Sequence, residues 1–174
     1  MATLTALAAA STAMGPITSF IASQNIGIFT ALSLFIDQYF YIVLPASIII
    51  FYKKLGRRRV ASLVLCMLLL YLSITFLKVF FHQPRPCNEY LKESCPEDYT
   101  FPSGHSSVAF AFAYFAVGTA AFPFYYISAF LVALSRMYLG VHVLNDVIGG
   151  AVVGIFCYFV AQKVVEACLR YEGG

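Results

Sequence analysis

The chain alternates between long, nearly unbroken apolar runs and short polar breaks. A helix that crosses lipid needs about 20 mostly apolar residues. By that measure the pattern predicts spans from Asp37 to Tyr52, Arg59 to Phe81, Pro102 to Phe122, Pro123 to Leu139 and Leu144 to Cys168. A start of the first span as early as Ile26 is open. Pro45 falls inside that span, where a kink is tolerable in a membrane helix. The fold class expected is all-α, an integral membrane helical bundle with about five or six transmembrane helices. Residues 1–174 read as one membrane-embedded domain. The opening "MATLTALAAASTAMG" lacks the basic start of a secretory signal. An interfacial helix, an extra span and a frayed tail all fit it.

Composition agrees with the pattern. Of 174 residues, 61% are hydrophobic and 11% charged, which excludes a disordered chain and argues against a soluble domain. A net charge of +3 is too small and too local for a nucleic-acid partner. The basic residues sort by position instead. Lys53, Lys54, Arg57, Arg58 and Arg59 crowd one loop, which the positive-inside rule assigns to the cytoplasm. The loop from His82 to Phe101 is then extracytoplasmic, with Glu89, Glu93, Glu97 and Asp98 set against Arg85 and Lys92. The turn around Gly140–Val143 falls on that same side.

That orientation gathers ionisable residues from separate spans at one depth: Lys78, Arg85, His105, Arg136, His142 and Asp146. Charges at membrane depth are costly and usually functional, although a single one could be a snorkelling side chain. Lys78 and Arg85 lie about two helical turns apart, and Pro84 and Pro86 terminate that helix. Arginine offers phosphate a planar fork and lysine a mobile point charge. In "PSGH", Pro102 suits the first helical position, and Ser103, Gly104 and His105 would present free backbone N–H groups to an anion. His142 and Asp146 share a helical face, so the carboxylate can hold one ring nitrogen's proton and leave the other nitrogen to attack. Arg136 supplies a third cation. Three cations, a helix N-terminus and two histidines describe phosphoryl chemistry, by double displacement through a phosphohistidine. No dense carboxylate pair or zinc-like Cys/His spacing appears, so no metal and no cofactor are expected, and the cations carry the electrostatic load.

The residues also form three ordered motifs. "KVFFHQPRP" from Lys78 to Pro86 fits K-x6-R-P, residues 102–105 read "PSGH", and "SRMYLGVHVLND" from Ser135 to Asp146 fits S-R-x5-H-x3-D. Together they resemble the type 2 phosphatidic acid phosphatase superfamily, without a departure at any motif position. The resemblance implies a helical bundle with its active site at the extracytoplasmic membrane face. It implies His142 as nucleophile, oriented by Asp146, and His105 as the acid that protonates the leaving oxygen. Lys78, Arg85, Ser103, Gly104 and Arg136 would hold the phosphoryl oxygens. The expected activity is hydrolysis of a membrane lipid phosphate or diphosphate. Polyprenyl diphosphate is favoured, because the chain is compact and has no domain for reading a large headgroup. Phosphatidylglycerol phosphate, phosphatidic acid and a lipid A phosphate stay open. An anion or lipid transporter is the alternative for the same basic pocket.

Other features read as structural. Cys87 and Cys95 share the outer loop and could bridge. "GAVVG", Gly150–Gly154, is a small-x3-small helix-packing pattern. Asp37 and Glu166 lie near predicted span ends and receive no role.

Overall fold

The computed structural model describes residues 14–87 and 90–172, with residues 51–55 described by their backbone alone. The question of residues 1–13, and the side chains of Lys53, Lys54 and Glu89, lie outside the described residues. The described residues form six helices and no strand: α1 (Pro16–Ser23), α2 (Gly27–Leu55), α3 (Arg57–Phe81), α4 (Gly104–Phe115), α5 (Phe122–Tyr138) and α6 (Leu144–Glu172).

Three of these, α2, α3 and α6, are long and apolar enough to cross a membrane. Their outward faces expose Ile42, Ile49, Val64, Phe76, Val152 and Phe156, a surface suited to lipid rather than water. The expected third span, Pro102 to Phe122, is corrected. Its helix stops at Phe115 after 12 residues, and a turn fills 116–121. That helix is about 18 Å long, well short of a bilayer core of about 30 Å. The break follows from sequence: Gly118 takes φ 75°, and Thr119 hydrogen-bonds back to the Ala116 carbonyl at 2.7 Å. Pro123 then opens α5 in its first turn. The expected loop between the first two spans shrinks to Gly56, whose φ of 77° suits glycine.

Helix α4 is the most enclosed. Seven of its residues are buried, among them Ala109, Phe112 and Phe115. Phe112 and Phe115 pack with Tyr125 and Tyr158 in a core shared by α3, α5 and α6. The predicted glycine pattern explains how α6 comes so near α4. A Cβ on Gly150 would sit 2.6 Å from the Ser103 carbonyl oxygen, and one on Gly154 would strike the Ser107 carbonyl. Only hydrogen fits there. At the same end of the bundle, α1 docks on the α5–α6 link: Thr18 Oγ1 accepts from the Leu144 N–H at 3.1 Å.

Candidate active site

The polar residues gather where α3 ends, α4 begins and α5 turns into α6. Pro84 and Pro86 stop α3 from continuing, so 82–103 returns as a loop over the bundle. The Cys87–Cys95 disulfide forms in that loop. A cavity of about 310 Å³ lies beneath, lined by Lys78, Arg85, Gly104, His105, Arg136 and His142, with Asp37, Glu93 and Asp98 on the same walls.

His142 is 2% exposed and sits in the short link before α6. Its Nδ1 lies 3.3 Å from Asp146 Oδ2 and 3.1 Å from Thr100 Oγ1. The Thr100 hydroxyl spends its proton on Asp146 Oδ2, at 2.5 Å, so towards the ring it can only accept. That network assigns the ring proton to Nδ1 and the lone pair to Nε2. Val143 N–H donates to the same Asp146 oxygen at 2.9 Å and fixes the carboxylate. Nε2 faces Arg85 Nη1 at 3.2 Å, on the cavity side. Burial pushes the His142 pKa down to about 4; the Asp146 hydrogen bond opposes this, and Arg85 and Arg136 add to it. The ring is neutral at pH 7, with Nε2 free of a proton.

His105 opens α4, its ring held between Phe40 (centroids 5.0 Å apart) and Tyr41 (4.8 Å). Its Nε2 is buried without a hydrogen bond and lies 3.6 Å from Asp37 Oδ1. The first intrahelical donor is Ser107 N–H, to the Ser103 carbonyl at 3.0 Å, so the N–H groups of Gly104 and His105 precede the helical ladder. Ser103 itself corrects the sequence reading. It is fully buried and does not line the cavity. Its N–H is taken by the Asp146 carbonyl at 3.0 Å, and its hydroxyl caps α4 by accepting from Ser106 N–H at 3.4 Å. Its backbone N–H is therefore engaged, not free for an anion. Asp146 likewise stands behind His142, not on the cavity wall.

The cations are not bare. Lys78 Nζ donates to the Asp98 carboxylate and to the Tyr99 carbonyl at 2.7 Å. Arg85 Nη2 reaches Asp98 Oδ1 at 2.5 Å. Burial pushes Asp98 up, but hydrogen bonds from Lys78 and Arg85 outweigh it and hold the carboxyl below its usual value. Arg136, 2% exposed, forks between the Asp37 carboxylate and Glu93 Oε1 at 3.3 Å, while its Nε is buried without a partner. Burial raises the Glu93 carboxyl; Arg136 counters this and the adjacent Asp37 reinforces it. Three cations thus meet three carboxylates, Asp37, Glu93 and Asp98. Sequence reasoning gave Asp37 no role, left Glu93 and Asp98 as loop charge, and overlooked Thr100. The one available signal for Asp37 was its isolation in an apolar run. Among the described residues, no group of three His, Cys, Asp or Glu side chains is set to hold a metal.

A second cavity, about 430 Å³, shares Tyr41, Lys78, Asp98 and Gly104 with the first. It continues between α2, α3 and α4 over Met67, Leu70, Ile74 and Val108, and so joins an apolar groove to the polar site.

A membrane helical bundle with a buried, carboxylate-held imidazole facing a cation-lined hollow has the make-up of a membrane phosphatase. The comparisons agree: residues 59–170 match the PAP2 superfamily, and the chain belongs to it. An undecaprenyl-diphosphatase from Sulfolobus acidocaldarius is 33% identical over 153 residues, covering 83% of this chain and 72% of that protein. Phosphatidylglycerophosphatase B of Bacillus subtilis is 37% identical over 87 residues, 42% of this chain and 43% of that one. The crystal structure of a transmembrane PAP2-type phosphatidylglycerolphosphate phosphatase from Bacillus subtilis superposes with a TM-score of 0.69 at 24% identity, over 93% of this chain and 87% of that one, a likeness of fold.

Proposed function

We propose that the protein hydrolyses a lipid diphosphate or monophosphate by double displacement through a phosphohistidine on His142. The observation that carries this is the Nε2 lone pair of His142, aimed at a cavity that Lys78, Arg85 and Arg136 line while Asp146 holds the opposite ring nitrogen. Nε2 attacks phosphorus, and the bond to the leaving oxygen breaks. His105 gives that oxygen a proton. It then takes one from water, whose oxygen attacks phosphorus; the N–P bond breaks with its electron pair returning to His142 Nε2, and inorganic phosphate leaves. Lys78, Arg85, Arg136 and the first N–H groups of α4, beginning at Gly104, stabilise the equatorial oxygens, a load metal ions carry in other phosphatases.

The apolar groove beside the cavity suits one long hydrocarbon tail and supports a lipid rather than a soluble ester. Polyprenyl diphosphate is favoured: the 33% identical relative from Sulfolobus acidocaldarius is named for a diphosphate of this class. The extracytoplasmic placement of the site rests on the positive-inside rule. Arg57 and Arg58 begin α3, and the site lies at its other end. Phosphate release from purified polyprenyl diphosphate, phosphatidylglycerol phosphate and phosphatidic acid tests the reading, in parallel with His142→Ala and acid-labile phosphate trapping. Wild-type turnover of the diphosphate, with a trapped phosphoenzyme absent in the variant, is expected. Full turnover by His142→Ala would refute the nucleophile.

A further inference from the structure

Asp37 is the only acid in the sequence of α2, and it precedes the family match at residues 59–170. The chemistry proposed above makes no use of it. A carboxylate in a membrane helix is costly and marks a function by default. Helical spacing puts Asp37, Phe40 and Tyr41 towards one side of α2, and all three meet His105: two by ring contact, one by charge. We infer that Asp37 is the positioning residue for His105, the counter-charge that favours the protonated imidazole and turns it towards the leaving oxygen. This rests on the role given to His105 under the proposed function.

The groups facing His105 support the assignment. From α2 come Asp37 and Tyr41; from the loop, Glu93; from α5, Arg136; from the α5–α6 link, His142. Burial and Arg136 disfavour an imidazolium and hold the ring well below its ordinary pKa, and Asp37 opposes them. Glu93 reaches only the far fork of Arg136. Among the described residues, Asp37 is the one acid within ion-pair range of the ring. At 3.6 Å the two are close enough for charge and too far for a good hydrogen bond. The Nε2 proton is therefore not committed to Asp37 and can pass to an ester oxygen that comes within hydrogen-bond reach of the ring. The P–O bonding pair goes to that oxygen, His105 is left neutral, and the following water returns a proton to it. A phosphoryl group that takes Arg136 would leave Asp37 to face the imidazolium alone.

The test compares Asp37→Asn, Asp37→Glu and the wild type on two probes, phosphatidic acid and p-nitrophenyl phosphate. The first leaves as an alkoxide and needs the proton; the second leaves as a weakly basic phenolate and needs it little. Asp37→Asn should lose about 100-fold in kcat on phosphatidic acid and at least about tenfold less on the aryl ester. The basic limb of its pH profile should move down by about one pH unit or more, because removing the anion lowers the pH at which His105 gives up its proton. Asp37→Glu should restore most of the rate and the limb. Equal losses on both probes with an unmoved limb, or no loss at all, overturn the proposal while wild-type turnover upholds the phosphatase reading. No phosphate release by the wild type from these probes, polyprenyl diphosphate or phosphatidylglycerol phosphate overturns both.

Discussion

The two ends of helix α4 meet opposite fates. At its C-terminus the guanidinium of Arg59 reaches across from α3 and donates to the carbonyls of Phe115 at 3.0 Å and Val117 at 2.6 Å. A cation there answers the negative end of the helix dipole and satisfies carbonyls that lack an intrahelical partner. At the N-terminus no anion among the described residues occupies the equivalent seat. The N–H groups of Gly104 and His105 open onto the cavity, and the nearby carboxylates pair with side-chain cations instead. One end is closed by the protein for stability. The other is the end to which the proposed function assigns the phosphoryl group, a ligand of opposite sign.

Breaking the site end should produce the largest effect. His142→Ala should lower phosphate release by about 10⁴-fold or more, with the melting temperature little changed, because it removes the attacking atom. The same residue gives a pH signature. With a folded-state pKa of about 4, the nucleophile stays neutral until pH falls towards that value. The acid limb of kcat/KM should therefore lie near pH 4; a limb near the ordinary histidine value of about 6.5 would show that burial does not control the ring. Next in size is Thr100→Val, which keeps shape and deletes the hydroxyl joining His142 to Asp146. A buried hydrogen bond to a charged group is worth about 1.5–3 kcal/mol, so kcat should fall about 10- to 100-fold, and Thr100→Ser should recover most of it. Equal rates for valine and serine variants would remove Thr100 from the site.

The contrast between the ends also marks what sequence could show. His142 and Asp146 were legible because four residues on one helix fix their geometry. Lys78 and Arg85 were legible because prolines end the helix between them. Gly150 and Gly154 announced close packing by spacing alone. Interactions between distant segments left no periodic trace: Asp37 with Arg136, Thr100 with His142, Arg59 with Phe115. The expected third span failed for a related reason. An apolar run from Pro102 to Phe122 looks like lipid contact, yet its first half is buried in protein and its second half turns at Gly118. Hydropathy does not distinguish a core helix from a lipid-facing one. That the Ser103 hydroxyl caps α4 was not legible, because a cap and an anion donor share the same residue types.

A middle-sized effect lies along the body of α4. Gly154→Ala pushes a methyl group into the Ser107 carbonyl, which is backbone and cannot swing away. The variant should lose about 2–3 kcal/mol of stability, read as a lower melting temperature in detergent, through overpacking at the α4–α6 contact. Because Ser107 lies two residues from His105 on the same helix, some rate loss should accompany it. A fully stable Gly154→Ala protein would mean that the two helices separate more easily than their packing implies.

The smallest effect separates the ends most cleanly. Arg59→Met keeps an apolar stem along α3 but withdraws both hydrogen bonds from the Phe115 and Val117 carbonyls. Leaving such groups unpaired in a partly buried place should cost about 1–2 kcal/mol. Arg59 lies at the start of α3 and Lys78 near its end, so the change is far from the cavity. The expected outcome is a melting temperature lower by a few degrees, with kcat and its pH limbs preserved in the protein that remains folded. Arg59→Lys should recover part of the loss, since an ammonium can also donate to these carbonyls, which the single Nη1 now serves. If Arg59→Met instead lowered kcat without lowering stability, the division of α4 into a structural end and a chemical end would be wrong, and the helix would have to transmit the loss of its C-terminal cation to the seat at Gly104.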